Sequence, residues 1–446
     1  MTTLFAPISS DERLRALDVL RGTALLGIAL MNIVFSGLPM AAYSNPNLWG
    51  GNDPLNVGVL AVQWVLFDGK MRALFSMMFG AGIVLFMDRA IARENSVRAA
   101  DLMTRRLLWL ILFGALHGWL IWAGDILYAY GLFGLLIVPM RNVSPRKLLI
   151  TSGVALLLLS LAVVGMGFRQ RSTRNAAVAA RAAEAQGQTL TKEQRDAKKE
   201  WDEAYNTALP SREKLQEEID NYRKGYGGVM TQRVPVMRQL NFAPVYFPGG
   251  VDIWALMLIG MALFKLGVLQ GDRPTGFYLR LAAAGYGFGI AVNSLSTYGM
   301  ITSNFDIVAT IFWNVPYELG RVAVAVGHAS VIILLAKSAV MKWLTDRLAA
   351  VGQMAFSNYI SHSIIYALVF YAPGLRLFGQ LQRYQLYYVV LGMWILSLTV
   401  SPIWLRHFRF GPLEWCWRSL TYWKRQPMRL AAPEPVPVTT TVTATA

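Results

Sequence analysis

Long apolar stretches, each about as long as a bilayer is thick, are the feature that most constrains how this chain can fold. Residues 148–168 and 386–405 contain no charged side chain, and residues 19–38 contain one, near the start. A helix needs about 20 mostly apolar residues to cross the hydrocarbon core. The chain is 55% hydrophobic and 15% charged, whereas soluble domains carry about 25% charged residues. The sequence therefore predicts an all-α, polytopic integral membrane helix bundle.

The distribution of Lys and Arg predicts how the bundle is oriented. Arginines cluster after residues 88 and 140, whereas the loop 39–56 has no Lys or Arg. Positive residues in short loops mark the cytoplasmic side. We therefore predict a multi-pass protein of the inner (plasma) membrane with the N-terminus and the C-terminus both inside. The runs predict about ten transmembrane helices, at residues 19–38, 72–87, 107–123, 126–140, 148–168, 251–269, 277–298, 320–336, 349–371 and 386–405.

The placement of the charges, the cysteine content and the glycine motif exclude several classes of function. The net charge of +16 comes from residues at the ends of apolar runs, so it indicates membrane orientation and no nucleic-acid partner. Cys416 is the one cysteine, which rules out an internal disulfide and a cysteine metal cluster. The segment Gly285-Tyr-Gly-Phe-Gly289 lies inside an apolar run and is interpreted as a helix-packing surface. Neither a metal nor a tightly bound cofactor is predicted.

The chain has four parts, because a hydrophilic insert separates two membrane halves and a tail follows the second half. We predict an N-terminal membrane half (1–168), a soluble extracytoplasmic helical insert (169–249), a C-terminal membrane half (250–430) and a disordered tail (431–446). Within the insert, Thr191 and Gln194 have the spacing of a capping box. The insert is either a solvated helical hairpin or a lid over a site at the outer face.

Polar side chains within apolar runs are costly in a bilayer and usually face a partner or a cavity. On the predicted topology they converge on the outer half of the bundle, and the charged turn 68–72 is expected to line a cavity. The converging residues are Asn32, Asp68, Lys70, Arg72, His117, Asp125, Asp252, Asn293, Glu318 and Arg321.

Four of these residues and two further histidines also have a structural interpretation. His117 fits a packed histidine, and Asp125 fits a helix cap. Glu318 and Arg321 have the i, i+3 spacing of an ion pair. His328 and His362 lie nearer mid-membrane and fit polar links between helices.

Five blocks of the sequence resemble a known family. The blocks are LDVLRGTALLG (17–27) followed by Asn32, LFS…FG (74–80), His117 with WAGDIL (122–127) and Tyr130-Gly131, GQMAFSNY (352–359), and GPLEW (411–415) with Arg418. They are similar to the YeiB-like membrane proteins, domain-of-unknown-function family 418. Together they span the chain except for the insert and the tail.

The first helix also resembles those of acyltransferase-3 proteins and heparan-α-glucosaminide N-acetyltransferases, which transfer acyl groups across membranes, usually onto carbohydrates. Acyltransferase-3 proteins carry a histidine at the spacing from Arg21 where this chain has Asn32, and the loop 39–56 has no histidine either. His117 is therefore the nearest base in the block structure.

That resemblance implies an acyltransferase taking an acyl group from cytoplasmic acyl-CoA to an extracytoplasmic glycan or lipid acceptor. His117 is assigned as base, Asp68 as its orienting carboxylate and Asn32 as an oxyanion donor. Asp125 stands eight residues from His117, about 12 Å along a straight helix, so direct contact between the two is not expected. Arg21, paired with Asp18, is assigned to the phosphates of the donor. The further substrate-binding candidates are Lys70, Arg72, Asp125, Tyr130, Glu318, Arg321, Asn358 and His362.

Two other functions fit the sequence. A transporter or exporter of a small polar metabolite would explain polar groups at mid-membrane, although no inverted repeat is visible. A non-catalytic envelope scaffold is the third possibility.

Overall fold

The structure is a computed structural model that describes residues 15–93, 95–242, 246–338 and 340–430; the predicted tail 431–446 lies outside the described residues. The described residues are α-helical apart from turns, short 3-10 and π segments and one isolated bridge. The predicted all-α fold is thus confirmed. The helices are α1 (Arg15–Gly37), α2 (Pro54–Val62), α3 (Lys70–Arg93), α4 (Ser96–Leu120), α5 (Leu127–Ile137), α6 (Pro145–Ala185), α7 (Lys192–Ala208), α8 (Arg212–Lys224), α9 (Tyr226–Phe242), α10 (Tyr246–Lys265), α11 (Thr275–Thr302), α12 (Ile307–Trp313), α13 (Tyr317–Lys337), α14 (Lys342–Gln353), α15 (Ala355–Phe370), α16 (Arg383–Leu405) and α17 (Pro412–Thr421).

Five segments of the described chain are long and apolar enough to cross a membrane. They are α1, the combined α2–α3 segment Pro54–Arg93, α6, α13 and α16. The outward faces of α6 and α16 are strongly apolar, with Leu157, Leu161 and Ile395 all more than half exposed. A water-soluble protein would bury such continuous apolar faces, whereas lipid covers them without cost. These features support a membrane protein.

Several helix boundaries differ from the predicted ones. The predicted span 148–168 is part of α6, which continues without a break to Ala185 because the following residues are Ala-rich and favour helix. The predicted span 349–371 is not one continuous helix, because the chain breaks at Met354 between α14 and α15. The short predicted span 126–140 is an α-helix only to Ile137 and then tightens into a 3-10 segment.

The insert packs onto itself and onto the bundle. The predicted capping box is confirmed at the start of α7, where Thr191 Oγ1 accepts from Gln194 N and Gln194 Oε1 accepts from Thr191 N. α7 lies along the end of α6, with Trp201 buried against Ala177. α8 begins at the N-cap Ser211, and α9 packs against α4.

Glycines set the closest helix crossings in the core. A Cβ at Gly22 would lie 2.0 Å from Leu348 O, and one at Gly352 would lie 1.9 Å from Asp18 O, so α1 and α14 touch backbone to backbone. Gly285 and Gly289 of α11 meet the backbone of α13 in the same way, which confirms the predicted packing surface. These contacts fix α1 against α14 and so place Asp18 and Arg21 beside Gln353.

The substitution Gly352→Ala is therefore expected to destabilise the bundle by about 1–3 kcal/mol, because two backbones must separate to admit the methyl group. Gly392→Ala in α16 is the matched control, since a Cβ there meets no atom within 4 Å and alanine favours helix by about 0.5–1 kcal/mol. Thermal unfolding in nanodiscs would measure both. Equal unfolding temperatures for the two variants would contradict the tight crossing.

Candidate functional site

A buried histidine–carboxylate pair lies where α4 turns into α5. His117 Nδ1 is 2.8 Å from Asp125 Oδ1, and the two side chains are 1% and 2% exposed. A carboxylate accepts hydrogen bonds, so Nδ1–H donates, and in the neutral imidazole the lone pair is then on Nε2. His117 Nε2 is buried and has no hydrogen-bond partner among the described residues. The pair thus presents an oriented imidazole with a free basic nitrogen.

The expectation that His117 and Asp125 would stay apart is wrong. It assumed a straight helix, but α4 ends at Leu120 and the chain folds back through residues 121–126. Asp125 is anchored there because its Oδ2 accepts from Tyr128 N at 2.8 Å, at the start of α5. The expected cap role and the pairing with His117 are therefore both present in one side chain.

The assignment of Asp68 as the orienting carboxylate of His117 is also corrected, because Asp125 occupies that position. Asp68 Oδ1 accepts instead from the Tyr43 hydroxyl. The backbone turns at Asp68-Gly69 into α3, which directs the Asp68 side chain toward the loop after α1.

Aromatic side chains enclose the pair. The Tyr359 ring lies edge-on to His117 at 5.1 Å, and its hydroxyl bonds both the Gly124 carbonyl and the Ile126 N–H at 3.2 Å. Trp122 lies 6.3 Å from the His117 ring and 5.7 Å from that of Tyr366. The buried Tyr366 hydroxyl has no hydrogen-bond partner among the described residues. Tyr359 and Tyr366 are candidates that the sequence reasoning missed as site residues.

The insert covers the turn that carries the pair. Arg233 of α9 donates to the Ile121 carbonyl at 2.6 Å, and Tyr226 donates to the Leu120 carbonyl at 2.8 Å. Met237 packs against Gly118, one residue from His117. These contacts match a cover over the site, the lid alternative, better than a hairpin standing free in solvent.

An elongated cavity of about 240 Å³ approaches the pair from the other direction. One end is lined by Ile126, Tyr130 and Tyr359, next to His117. Arg106, at the other end, precedes His117 by eleven residues on the same helix, roughly 16 Å of rise. Between them the walls are apolar. Four arginines line the cavity: Arg21, Arg89, Arg106 and Arg418.

One ion pair and two cation–π contacts hold this arginine cluster in place. Arg21 pairs with Asp18 at 3.0 Å, which confirms the predicted ion pair. The Arg106 guanidinium stacks 3.6 Å from the Trp417 ring centroid, and Arg418 lies over Phe410. Stacking against aromatic rings holds these planar guanidiniums in fixed orientations, and the guanidinium geometry suits phosphate oxygens. Arg106 and Arg418 were missed as site residues because their stacking partners lie in another helix or turn.

Glu414 organises the same region. It is buried and accepts from Phe356 N at 2.7 Å, Ser357 N at 3.1 Å and Ser357 Oγ at 2.5 Å. A carboxylate bonded to the first N–H groups of a helix offsets the helix dipole. Glu414 therefore joins α17 to the start of α15, which carries Tyr359.

A second polar cluster joins α3, α10 and α13. Arg321, fully buried, bonds Asp252 through both terminal nitrogens and also bonds Glu318. Arg72 pairs with the same Asp252 at 2.6 Å. The predicted Glu318–Arg321 ion pair is confirmed, and Asp252 extends it to Arg72. Two positive and two negative charges thus balance within one network.

Most of the other sequence candidates have structural partners. Asn358 donates to Ser401 Oγ at 2.9 Å, and His362 Nε2 lies 2.9 Å from Ser397 Oγ, so both link α15 to α16. His328 is bonded through both ring nitrogens, to Tyr286 and Leu66. These links match the predicted role as polar contacts between helices. The Tyr130 hydroxyl is 2.7 Å from Ser76 Oγ.

Asn32 stays a prediction. It is half-buried on α1, and no hydrogen bond of its side chain joins it to the His117 pair in the described part of the chain. Its carbonyl accepts from Ser36 Oγ.

Comparison of the sequence with known proteins shows the family of this chain. The chain is 31% identical over 418 residues to "Uncharacterized protein YeiB" of Escherichia coli (strain K12), covering 92% of this chain and 96% of that protein. It is 28% identical to "Uncharacterized protein YxaH" of Bacillus subtilis (strain 168), covering 95% and 97%. The family model "Protein of unknown function (DUF418)" matches residues 263–424. The chain belongs to the YeiB-like DUF418 family.

The matched DUF418 region contains only part of the site. It includes α13, α15 and the Glu414–Arg418 segment of the cavity. His117 and Asp125 lie before the matched region. The similarity to YeiB and YxaH covers 92% and 95% of this chain and so is not limited to the DUF418 region. The resemblance to this family is confirmed, and the comparisons add no activity.

Proposed function

We propose that this protein is a membrane acyltransferase in which the elongated cavity takes a phosphorylated acyl donor and His117 acts as the base. The observation that carries the proposal is the His117–Asp125 pair, with Nε2 buried, unbonded within the described chain and adjacent to the cavity wall. An oriented imidazole with a free lone pair is what removal of a proton from an acceptor requires.

The proposed chemistry is acyl transfer from a thioester. His117 Nε2 takes the proton of an acceptor hydroxyl or amine, whose oxygen or nitrogen attacks the thioester carbonyl. The tetrahedral oxyanion then collapses, and the thiolate leaves with the proton from Nε2. Asp125 stabilises the imidazolium through Nδ1–H. Asn32 is the proposed oxyanion donor. Tyr359 separates His117 from the cavity, so its ring must move during transfer.

The chemical class of the acyl donor is inferred from the residues that line the cavity. Four arginines at one end suit phosphates, and the apolar walls suit an acyl-bearing arm. Acyl-CoA has both parts. With about ten spans and both termini inside, the arginine end of the cavity faces the cytoplasm, and the protein lies in the inner membrane. The acceptor, a glycan or lipid, would reach His117 from the outer side, under the insert.

The direct test is turnover by the purified protein in lipid nanodiscs, with acyl-CoAs of two to sixteen carbons and a mixture of envelope glycans and lipids as acceptors. Released CoA is measured by chromatography, because Cys416 would itself react with thiol reagents. Acceptor-dependent release of CoA supports the proposal. No release with any chain length refutes an acyl-CoA-dependent transferase.

Arg106→Gln is expected to raise KM for acyl-CoA at least tenfold with a smaller change in kcat, because the arginine binds the donor remote from the reacting bond. The KM for an acyl-pantetheine thioester without the nucleotide should not change. Arg105→Gln is the matched control, since Arg105 is the next residue and forms an exposed pair with Asp101. Equal KM values for the two variants would exclude Arg106 from donor binding.

The second candidate function is transport of a small polar metabolite. The Arg72–Asp252–Arg321–Glu318 network favours it, because charges buried among apolar helices often mark a substrate pathway. Flux into proteoliposomes without any thioester consumption would distinguish a transporter from the acyltransferase.

A further inference from the structure

We propose that a second, smaller cavity beside Lys70 binds an anionic oxygen group, a carboxylate or a phosphate, of a small molecule. The cavity measures about 180 Å³ and is lined by residues of α3, α11, α12 and α13 and of the loops after α1 and before α3. Lys70 and Ser296 are among them. It is distinct from the cavity next to His117, shares no lining residue with it and does not depend on acyl transfer.

Lys70 is the first reason. It is 1% exposed, yet Nζ makes one hydrogen bond, to the Trp64 carbonyl at 2.5 Å, and lies 5.1 Å from the centroid of the Tyr317 ring. No carboxylate lies within 4 Å of it in the described chain. An ammonium carries three donors, and a buried charge is costly unless it is paired. Lys70 therefore has unused donors beside this cavity and makes no contact ion pair in the described chain, although Asp68 and Glu318 act on its charge from a longer distance.

Hydroxyl groups in the wall are the second reason. Ser296 is 5% exposed, and its Oγ has no hydrogen-bond partner among the described residues. Thr310 Oγ1 in the same wall is also buried without a partner there. The large majority of buried hydroxyl groups in proteins have a hydrogen-bond partner. Two unbonded hydroxyls and an unpaired ammonium around one space suit the oxygens of an anion.

The backbone adds to the same electrostatic preference. α3 begins at Lys70, so the N–H groups of its first turn have no acceptor within the helix. A cation at a helix N-terminus is unfavourable, whereas an anion there is stabilised. The turn requires glycine at position 69 for two reasons. Its φ is +68°, and a Cβ would lie 1.8 Å from the Tyr317 hydroxyl. This turn sets Lys70 at the cavity wall.

The neighbouring charges leave room for one incoming anion. Arg72 and Arg321 are already neutralised by Asp252 and Glu318. Asp68 is the one carboxylate in the described cavity wall, and it accepts from the Tyr43 hydroxyl. An anion bonded to Lys70 would form the contact ion pair that Asp68 does not make, and it would leave the Arg72–Asp252–Arg321–Glu318 network unchanged.

The experiment measures binding to the full-length protein in nanodiscs at constant ionic strength, with acetate, succinate and inorganic phosphate as probes and acetamide as the neutral control. Saturable binding of acetate or succinate identifies a carboxylate site, and binding of phosphate alone identifies a phosphate site. Acetamide should not bind. Lys70→Met should weaken binding at least tenfold, whereas Lys147→Met, at an exposed lysine, should not change it.

The variants also separate binding from folding. Lys70→Met removes a poorly paired buried charge, so the ligand-free variant should unfold at the wild-type temperature or higher. If Lys70→Met does not fold, Ser296→Ala replaces it, because that hydroxyl bonds no other described group; it should weaken binding at least threefold. Absence of saturable anion binding to the wild-type protein, or full-affinity binding by the folded variant tested, overturns the proposal.

Discussion

Replacing His117 by alanine is expected to lower thioester cleavage by about 10²–10⁴-fold, the usual contribution of a positioned general base. Its Nε2 is buried without a hydrogen-bond partner among the described residues, behind the Tyr359 ring that lines the elongated cavity. Asp125→Asn should cause a loss in the same range, because an amide no longer fixes the proton on Nδ1 or stabilises the imidazolium. The measurement is kcat with saturating acyl-CoA and acceptor, per folded molecule.

His407→Ala is the matched control, since the His407 side chain is exposed and its Nδ1 lies 3.1 Å from the Ile403 carbonyl at the end of its own helix. It should retain wild-type turnover. A histidine used for packing alone would give a different result for His117→Ala: a lower unfolding temperature with normal kcat. Normal turnover in folded His117→Ala protein would end its assignment as the base, whatever happens to stability.

The fold was predictable where local sequence decides it. The apolar runs that form α1, α13 and α16 are visible in the sequence, because burial in a bilayer requires continuous apolar length. The break between α14 and α15 was not predictable, since the nearby Gly352 lies inside α14 and packs against α1, and no Pro follows Met354 at the break. The start of α15 is bonded instead by Glu414, 58 residues after Phe356. Such a cap depends on tertiary contact.

The site was predictable only in part, for the same reason. The polar residues were identified because charges in apolar runs are costly. The partner of each polar residue was not predictable. The separation of His117 and Asp125 was calculated for a straight helix, whereas α4 ends between them and a turn brings the two side chains together. The assignment of Asp68 to His117 failed because the Asp68-Gly69 turn directs it to Tyr43. The stacking of Arg106 on Trp417 joins residues 311 positions apart along the chain, which no local pattern reveals.

Arg321→Met is expected to destabilise the protein by about 3–5 kcal/mol, because removing one partner of a buried ion pair leaves an uncompensated charge. Arg321 is fully buried and bonds both Asp252 and Glu318. Without it, one positive charge, on Arg72, faces two carboxylates. Chemical or thermal unfolding in nanodiscs would report the loss.

The double variant Arg321→Met with Glu318→Gln tests whether charge balance or the shape of the arginine matters. It leaves one cation and one anion, Arg72 and Asp252, which are already 2.6 Å apart. Replacing charges together often costs little, whereas breaking a pair costs much. We therefore expect the double variant to regain more than half of the lost stability. A double variant as unstable as Arg321→Met would mean that the network acts through packing, and that the balance of its four charges is not what stabilises the junction of α3, α10 and α13.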